Sequence, residues 1–368
     1  MKQTIKKTKR VHTVKDLMNH LAQHQIEIPL KVIVSIVAGY FLQLPYFERF
    51  IFISNQRPGD GRYEKSYWDL TFLFFYICVF TAARASFMKY VLLPLARWCN
   101  VSPKKYDRFC EQAWSFVYYT CSFSAGIAVM YGTEWWFDSR YFWIDYPVTD
   151  YTEAFKYYYL VQFAFWLQQI FVLQIEAPRK DYRELVMHHI NTLLLIFASY
   201  LCNFTRVGNA VFVCMDLPDA VLALAKTLNY TCPGIICNAT FVMMLFSWMY
   251  TRVYLYGCIM LSTWTEPDLY VNFRLAPLEG WWFPHFVVYI IFALMFGLYC
   301  LILFWTAMIF KVLYKIVFTE NASDVRSDDE DEEVHVLEKD DLTQRSGMKS
   351  NGLTQRTRRS TRKTNGTN

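Results

Sequence analysis

The sequence predicts an all-α, polytopic membrane protein with about eight transmembrane helices. Three observations carry that prediction. Hydrophobic residues make up 54% of the 368-residue chain and charged residues only 19%, against about 45 to 50% and about 25% for a soluble globular domain. Apolar runs of roughly 20 residues, the length needed to cross a hydrocarbon core, recur along the chain. Lys and Arg collect in alternate segments between those runs, as the positive-inside rule expects. The same composition excludes a collagen, a coiled coil and a wholly disordered chain. The ten cysteines are diluted, and Cys78, Cys121, Cys202, Cys214, Cys258 and Cys300 fall inside apolar runs, so they read as small hydrophobes rather than a disulfide framework.

Residues 1–31 form a basic polar segment, with Lys2, Lys6, Lys7, Lys9, Arg10 and Lys15 and no acid up to that point. No short apolar h-region opens the chain, so an internal span is expected to direct insertion. Residues 32–104 hold two accessory spans: Val32–Ser54, interrupted by Pro45, Glu48 and Arg49, and Trp68–Leu95. Six more follow: Trp114–Trp136, Tyr157–Ile175, Leu185–Phe204, Val207–Leu228, Ile235–Leu261 and Phe286–Phe310, with an extension toward Val317. The clusters Trp135-Trp136-Phe137 and Trp281-Trp282-Phe283 sit at segment ends, where amphipathic rings favour the headgroup level.

Orientation follows from charge. The basic N-terminus, the loop with Arg97, Lys104, Lys105 and Arg108, and the loop with Arg179, Lys180 and Arg183 share one side, whereas Glu134–Glu153 carries Asp138, Asp145 and Asp150 against Arg140. An even number of spans then places both termini in the cytosol. Residues 319–368 turn acidic around Asp328–Glu333 and basic again from Arg345 to Lys363, a pattern read as a disordered tail. Ser323 and Ser327 precede acidic residues and are phosphorylation candidates for an acid-directed kinase; a merely solvated tail accounts for the same pattern. No nucleic-acid partner is expected.

The informative residues are the ionisable ones left inside apolar runs, because each costs several kcal/mol at membrane depth unless paired or wetted. His188 and His189 enter the fifth run; Asp216 and Asp219 lie inside the sixth. On helix geometry Asp181, Glu184, His188 and Thr192 share one face, with His189 about 100° around, and Asp216 and Asp219 share a face of the next helix. The short turn Asn203–Arg206 makes the two helices antiparallel neighbours, so two carboxylates can meet two imidazoles. His188 lies only a few residues inside its helix, which places the imidazoles in the cytosolic leaflet and suits a reagent with a wet headgroup and a greasy tail. A single buried His or Asp is commonly a satisfied structural group; four on adjacent helices favour chemistry. Two His and two Asp could in principle hold a metal, but the histidines are too few for a membrane di-iron oxygenase. Acid/base or covalent chemistry by an Asp-oriented imidazole fits better, and no metal is expected.

The block Arg179-Lys180-Asp181-x-x-Glu184-Leu185-x-x-His188-His189-x-x-Thr192, with Tyr200, Asn203-Phe204-Thr205-Arg206-x-Gly208, Met215-Asp216-x-x-Asp219 and Lys226-Thr227-Leu228-Asn229-Tyr230, resembles the longevity-assurance motif of ceramide synthases. Arg108-Phe109-x-Glu111-Gln112-x-Trp114 resembles the start of their TLC domain. The likeness spans residues 105–318 and is closest to fungal members, since Asn55–Tyr67 is too short for the homeobox-like insert of many animal homologues.

The resemblance implies a six-helix TLC bundle enclosing a lipid cavity in the endoplasmic reticulum membrane. It implies N-acylation of a sphingoid base, dihydrosphingosine or phytosphingosine, with a long or very-long-chain fatty acyl-CoA as co-substrate and no cofactor. His188 would attack the thioester, Asp216 would orient and charge-balance an imidazole, and His189 with Asp219 would assist proton transfer; general-base catalysis without an acyl-enzyme stands as the alternative. Arg179, Lys180, Arg183 and Lys226 are candidates to meet the CoA phosphates, and topology anchoring explains each of them equally. Asp181, Glu184, Thr192 and Asn229 are expected to support the pocket. As partners the resemblance implies a small single-span regulatory subunit, dimerisation with itself or a paralogue, or both. The competing class is a non-catalytic TLC-type lipid-binding or translocon-associated protein, with a transporter behind it.

Overall fold

The structure, a computed structural model, describes residues 17–176 and 181–318. They are mostly helical. In chain order the elements are α1 (Leu17–Gln23), α2 (Glu27–Phe41), α3 (Glu48–Ile51), β1 (Tyr63–Glu64), α4 (Asp69–Phe87), α5 (Leu93–Trp98), α6 (Tyr106–Met130), β2 (Asp150–Tyr151), α7 (Glu153–Ile175), α8 (Tyr182–Leu201), α9 (Thr205–Thr231), α10 (Ile235–Ser247), α11 (Tyr256–Thr265), α12 (Pro267–Tyr270), β3 (Arg274–Ala276), β4 (Trp281–Phe283) and α13 (His285–Phe318). π-helical turns at Met88–Leu92 and Trp248–Leu255 join α4 to α5 and α10 to α11 without a break. The chain divides into two units, Met1–Glu176 with Arg183–Thr306, and Ala177–Tyr182 with Ala307–Asn368. The described part of the second consists of Asp181, Tyr182 and the last turns of α13.

Among the described residues four helices are long and apolar enough to cross a membrane: Asp69–Trp98, Tyr182–Leu201, Thr205–Thr231 and His285–Tyr314. A fifth is reached if α1 and α2, bent by 73° at their junction, form one broken span. The expected runs at 157–175 and 235–261 are helical as well, and the one at 114–136 is helical only to Met130, where the chain turns; the apolar character of all three is diluted by inward polar groups. Glu111, Gln112 and Ser122 on α6, Lys156, Gln162 and Gln168 on α7, and Arg252 in the second π turn are all buried.

The first expected span needs correction. Val32–Ser54 is not one helix: α2 ends at Phe41, and the chain turns through Gln43 and Tyr46, both at positive φ, before the short α3. Pro45 cannot donate to a continuing ladder and restricts the residue before it, which is why the turn falls there.

Within the larger unit α9 packs against α6 and α10, and α4 packs against α7 and α2. The core between α4, α6 and α7 is aromatic, built on Phe72, Tyr118, Tyr158, Tyr159, Phe163, Phe165 and Trp166, with Tyr118 stacked on Phe165 at 3.4 Å between ring centroids. Large apolar side chains also cover the outside; Met187, Ile190, Leu194 and Phe197 of α8 are exposed, as expected where the surrounding solvent is hydrocarbon. Thr152 caps α7 by accepting from the Phe155 amide at 3.3 Å, the usual role of a hydroxyl at that position.

The end of the unit at the α8–α9 turn is tied down by buried polar contacts. Lys156 pairs with Asp69 at 2.8 Å and donates to the carbonyls of Ser54 at 2.8 Å and Glu64 at 2.6 Å. Asp69 also accepts from Tyr200 at 2.8 Å. Lys65 donates to the Tyr200 and Leu201 carbonyls at the C-terminal end of α8, and burial pulls its ammonium down to about 7. The turn itself is held by Asn203, at positive φ, which donates to the Gly280 carbonyl at 2.8 Å, and by Tyr146, which donates to the Cys202 carbonyl at 2.6 Å. Lys156→Met should therefore lower unfolding stability by about 3–5 kcal/mol, because Asp69 is left as a buried charge without its cation. Thermal unfolding in detergent reads this; an unchanged midpoint would show that the pair does not hold the turn.

Candidate active site

α8 is amphipathic in an inverted sense, with its lipid-facing stripe outside and a polar stripe inside. Residues three and four apart share a face, so His188, Thr192, Leu195 and Ser199 line one wall of an internal cavity. α9 supplies the opposite wall through Val207, Gly208, Val211, Met215, Asp216 and Asp219. Tyr159 and Trp166 of α7, Arg252, Tyr256 of α11, and Ile291, Met295 and Leu298 of α13 complete the lining. The cavity encloses about 720 Å³, its open end included.

The lining is segregated. Because α8 and α9 run away from each other's termini through a tight turn, His188, Thr192, Asp216 and Asp219 gather at the end remote from that turn. Ser199, Phe204, Val207 and Gly208 close the other end. From His188 to Ser199 the helix rises about 16 Å at ~1.5 Å per residue, close to one leaflet of a hydrocarbon core ~30 Å thick. The space has a polar head and an apolar tail, the outline of an amphiphile.

Each ionisable group at the polar end has a defined setting. The His188 ring lies between Trp166, at 5.6 Å, and Trp305, at 5.4 Å, with His189 at 5.6 Å and perpendicular. Nδ1 of His189 lies 2.8 Å from the Leu185 carbonyl; a carbonyl partner makes that nitrogen the donor and leaves Nε2 the basic one in the neutral ring. Asp216, 1% exposed, accepts from Ser122 at 2.6 Å and from Gln162 at 2.8 Å. Gln162 is oriented in turn by Tyr118, which donates to it at 2.8 Å, and also donates to Ser122. Asp219 pairs with Arg252 at 2.6 Å.

Local chain features aim these groups. Pro218 sits inside α9 and has no N–H, which loosens the ladder beside Asp216 and Asp219. There the Met215 carbonyl accepts from Arg252 at 2.9 Å. Arg252 lies in the π-helical turn, whose extra residue changes which side chain faces inward, and its guanidinium covers the Trp248 ring at 4.3 Å.

The structure thus brings His188, Thr192, Asp216 and Asp219 to one cavity, with His189 beside them. Lys226 lies two turns beyond Asp219 on α9. Arg183, exposed, and Glu184, half-buried, occupy the first turn of α8 and do not line the cavity; Asn229, near the end of α9, does not line it either. Asp181 precedes α8 and belongs to the second unit. Arg179, Lys180, Ser323 and Ser327 lie outside the described residues. Ser122, Gln162, Tyr118 and Trp166 were not singled out by sequence reasoning; glutamines in an otherwise apolar run were the available signal. Among the described residues no group of three or more His, Cys, Asp and Glu side chains is placed to hold a metal ion.

Residues 108–311 match the TLC domain family. Sphingosine N-acyltransferase lag1 of Schizosaccharomyces pombe is 40% identical over 313 residues, covering 82% of this chain and 80% of that protein. Ceramide synthase LAG1 of Saccharomyces cerevisiae is 35% identical over 324 residues, 84% of this chain and 78% of the relative. Similarity extends to human ceramide synthase 5, 29% identical over 238 residues, 63% of this chain and 58% of the relative.

Proposed function

The chain belongs to the TLC-domain family, alongside the fungal ceramide synthases, and from that premise we propose that it acylates the amine of a sphingoid base with a fatty acyl-CoA to give ceramide. The observation that carries this reading is the segregated cavity, in which His188, Thr192, Asp216, Asp219 and Arg252 share the polar end and the rest of the lining is mostly apolar.

An imidazole nitrogen of His188 attacks the thioester carbonyl. The C–N bond forms, the C–S bond breaks, and CoA leaves as a thiolate that takes up the imidazolium proton. The sphingoid ammonium gives one proton to His189, acting with Asp219, and the neutral amine attacks the acyl-imidazole. The amide forms, the bond to His188 breaks, and the second amine proton passes to the departing imidazole. Asp216, fixed by Ser122 and Gln162, places a negative charge beside the imidazole end of the cavity while it becomes cationic.

Eight spans with a six-helix bundle over the TLC domain, both termini cytosolic and residence in the endoplasmic reticulum extend the same proposal; the alternation of basic loops supports the orientation. In that orientation Arg183 and Lys226 border the side from which a CoA headgroup enters. Dihydrosphingosine or phytosphingosine, a long or very-long acyl chain, a small single-span subunit and self-association complete the reading on the strength of the family likeness.

The test is direct. Purified protein incubated with a panel of acyl-CoAs and sphingoid bases, with products read by mass, should yield the N-acyl sphingoid base and free CoA together. Binding of either lipid without amide from any pair would instead favour a non-catalytic lipid-binding protein.

A further inference from the structure

We propose that Trp166 and Thr192 form the oxyanion site of this cavity, donating the two hydrogen bonds that hold the thioester oxygen as His188 attacks. The inference rests on the acyl-transfer reading above. Nε1 of Trp166, Oγ1 of Thr192 and Nδ1 of His188 are buried side-chain atoms without a hydrogen-bond partner, and all three residues line the same cavity. Trp166 is 6% exposed and Thr192 9%. Buried polar groups are nearly always bonded, so unpartnered atoms clustered at one site call for a specific explanation.

Their placement supplies it. Thr192 stands one helical turn from His188 on the same face of α8, and the Trp166 ring, from α7, lies 5.6 Å from the His188 ring. A helical threonine ordinarily returns its hydroxyl to the carbonyl four residues back; Thr81, Thr227, Thr240, Thr251 and Thr306 all do so here at 2.7 to 2.9 Å. Thr192 does not. Other hydroxyls of the cavity are committed: Tyr159 donates to Ser199, Ser199 to the Phe204 carbonyl and Tyr256 to the Met295 carbonyl. The indole N–H and the threonine O–H are the neutral donors left for a substrate; Nε of Arg252, also without a partner, belongs to a guanidinium already engaged with Asp219 and the Met215 carbonyl.

The chemistry needs two such donors. As the C–N bond to His188 forms, the carbonyl π pair moves onto oxygen. The negative charge resides there until the pair returns and the C–S bond to CoA breaks. Donors already fixed on two helices stabilise that charge without reorganising.

Steady-state and single-turnover kinetics of the full-length protein in detergent test the assignment, using Thr192→Val, Thr192→Ser, Trp166→Phe and the Thr192→Val/Trp166→Phe pair. Removal of one such donor costs about 10²–10³-fold in kcat, so Thr192→Val and Trp166→Phe should each lose that much, with KM and acyl-CoA Kd near those of the unmodified protein. Thr192→Ser, which keeps the hydroxyl, should retain most of kcat. The burst of acyl-enzyme should slow by the same factor as turnover. Unimpaired kcat in Thr192→Val and Trp166→Phe, with the parent active, overturns this assignment alone; so does a loss that Thr192→Ser shares or that appears only in KM. A parent protein that forms no amide overturns the acyl-transfer reading, and this assignment with it.

Discussion

Replacing His188 by alanine should abolish ceramide formation, lowering kcat by on the order of 10³-fold or more, since loss of a nucleophile that works as part of a unit removes most of the chemical rate enhancement. His188 is the imidazole that lines the cavity, set between Trp166 and Trp305. Its ring is part of a cavity wall rather than of the close-packed aromatic core, so the variant should fold and still bind acyl-CoA. His189→Ala should do less, a loss of about 10²-fold typical of a general acid–base partner. His189 lies to the side with Nδ1 engaged by the Leu185 carbonyl. The rates of both variants, measured beside their unfolding midpoints, separate the two roles. Equal losses would show that the ring positions do not divide the work as proposed, and full activity in His188→Ala would remove the site altogether.

Asp216→Asn should cost about 10²–10⁴-fold in kcat. The substitution preserves size but removes the charge; the Ser122 hydroxyl and the Gln162 amide both donate to one carboxylate oxygen, a place the amide oxygen of Asn can take. The stability effect should run the other way or vanish. A buried carboxylate without a cation of its own is expensive to desolvate, so neutralising it leaves the unfolding midpoint equal or higher. Gln162→Met, which leaves the buried carboxylate short of one donor, should lower stability by about 1–3 kcal/mol and reduce turnover less than Asp216→Asn. Midpoints and rates measured on the same preparations check this. A parallel fall of stability and activity in Asp216→Asn would mean that the aspartate holds the fold and not the chemistry.

The site's residues were legible in the sequence because ionisable side chains are rare in apolar runs: His188, His189, Asp216 and Asp219 announce themselves by their surroundings alone. Their partners were not. Ser122, Gln162 and Tyr118 come from α6 and α7, far away in the chain, and as uncharged side chains they hardly alter the hydropathy of their helices. The expectation that imidazoles and carboxylates meet across neighbouring helices takes the form of a shared cavity. His188 and the aspartates line opposite walls of a cavity, and Asp216 is held by α6 and α7. Apolar runs understate helices whose inner face is polar. α6 starts at Tyr106, eight residues before the apolar run begins at Trp114, because Glu111 and Gln112 are buried. The first span ends at the interruption the sequence already carried, since Pro45 falls in the turn at Gln43–Tyr46. Neither π-helical turn carries a local signature, yet one of them holds the Arg252 that pairs with Asp219.

The covalent step is the center of this account, and it can be isolated by withholding the amine. Protein incubated with an acyl-CoA alone, quenched and digested, should show by mass spectrometry one acyl group on the peptide containing His188, discharged when a sphingoid base is added and absent from His188→Ala. No adduct on that peptide, from a preparation that makes ceramide once both substrates are present, would contradict it.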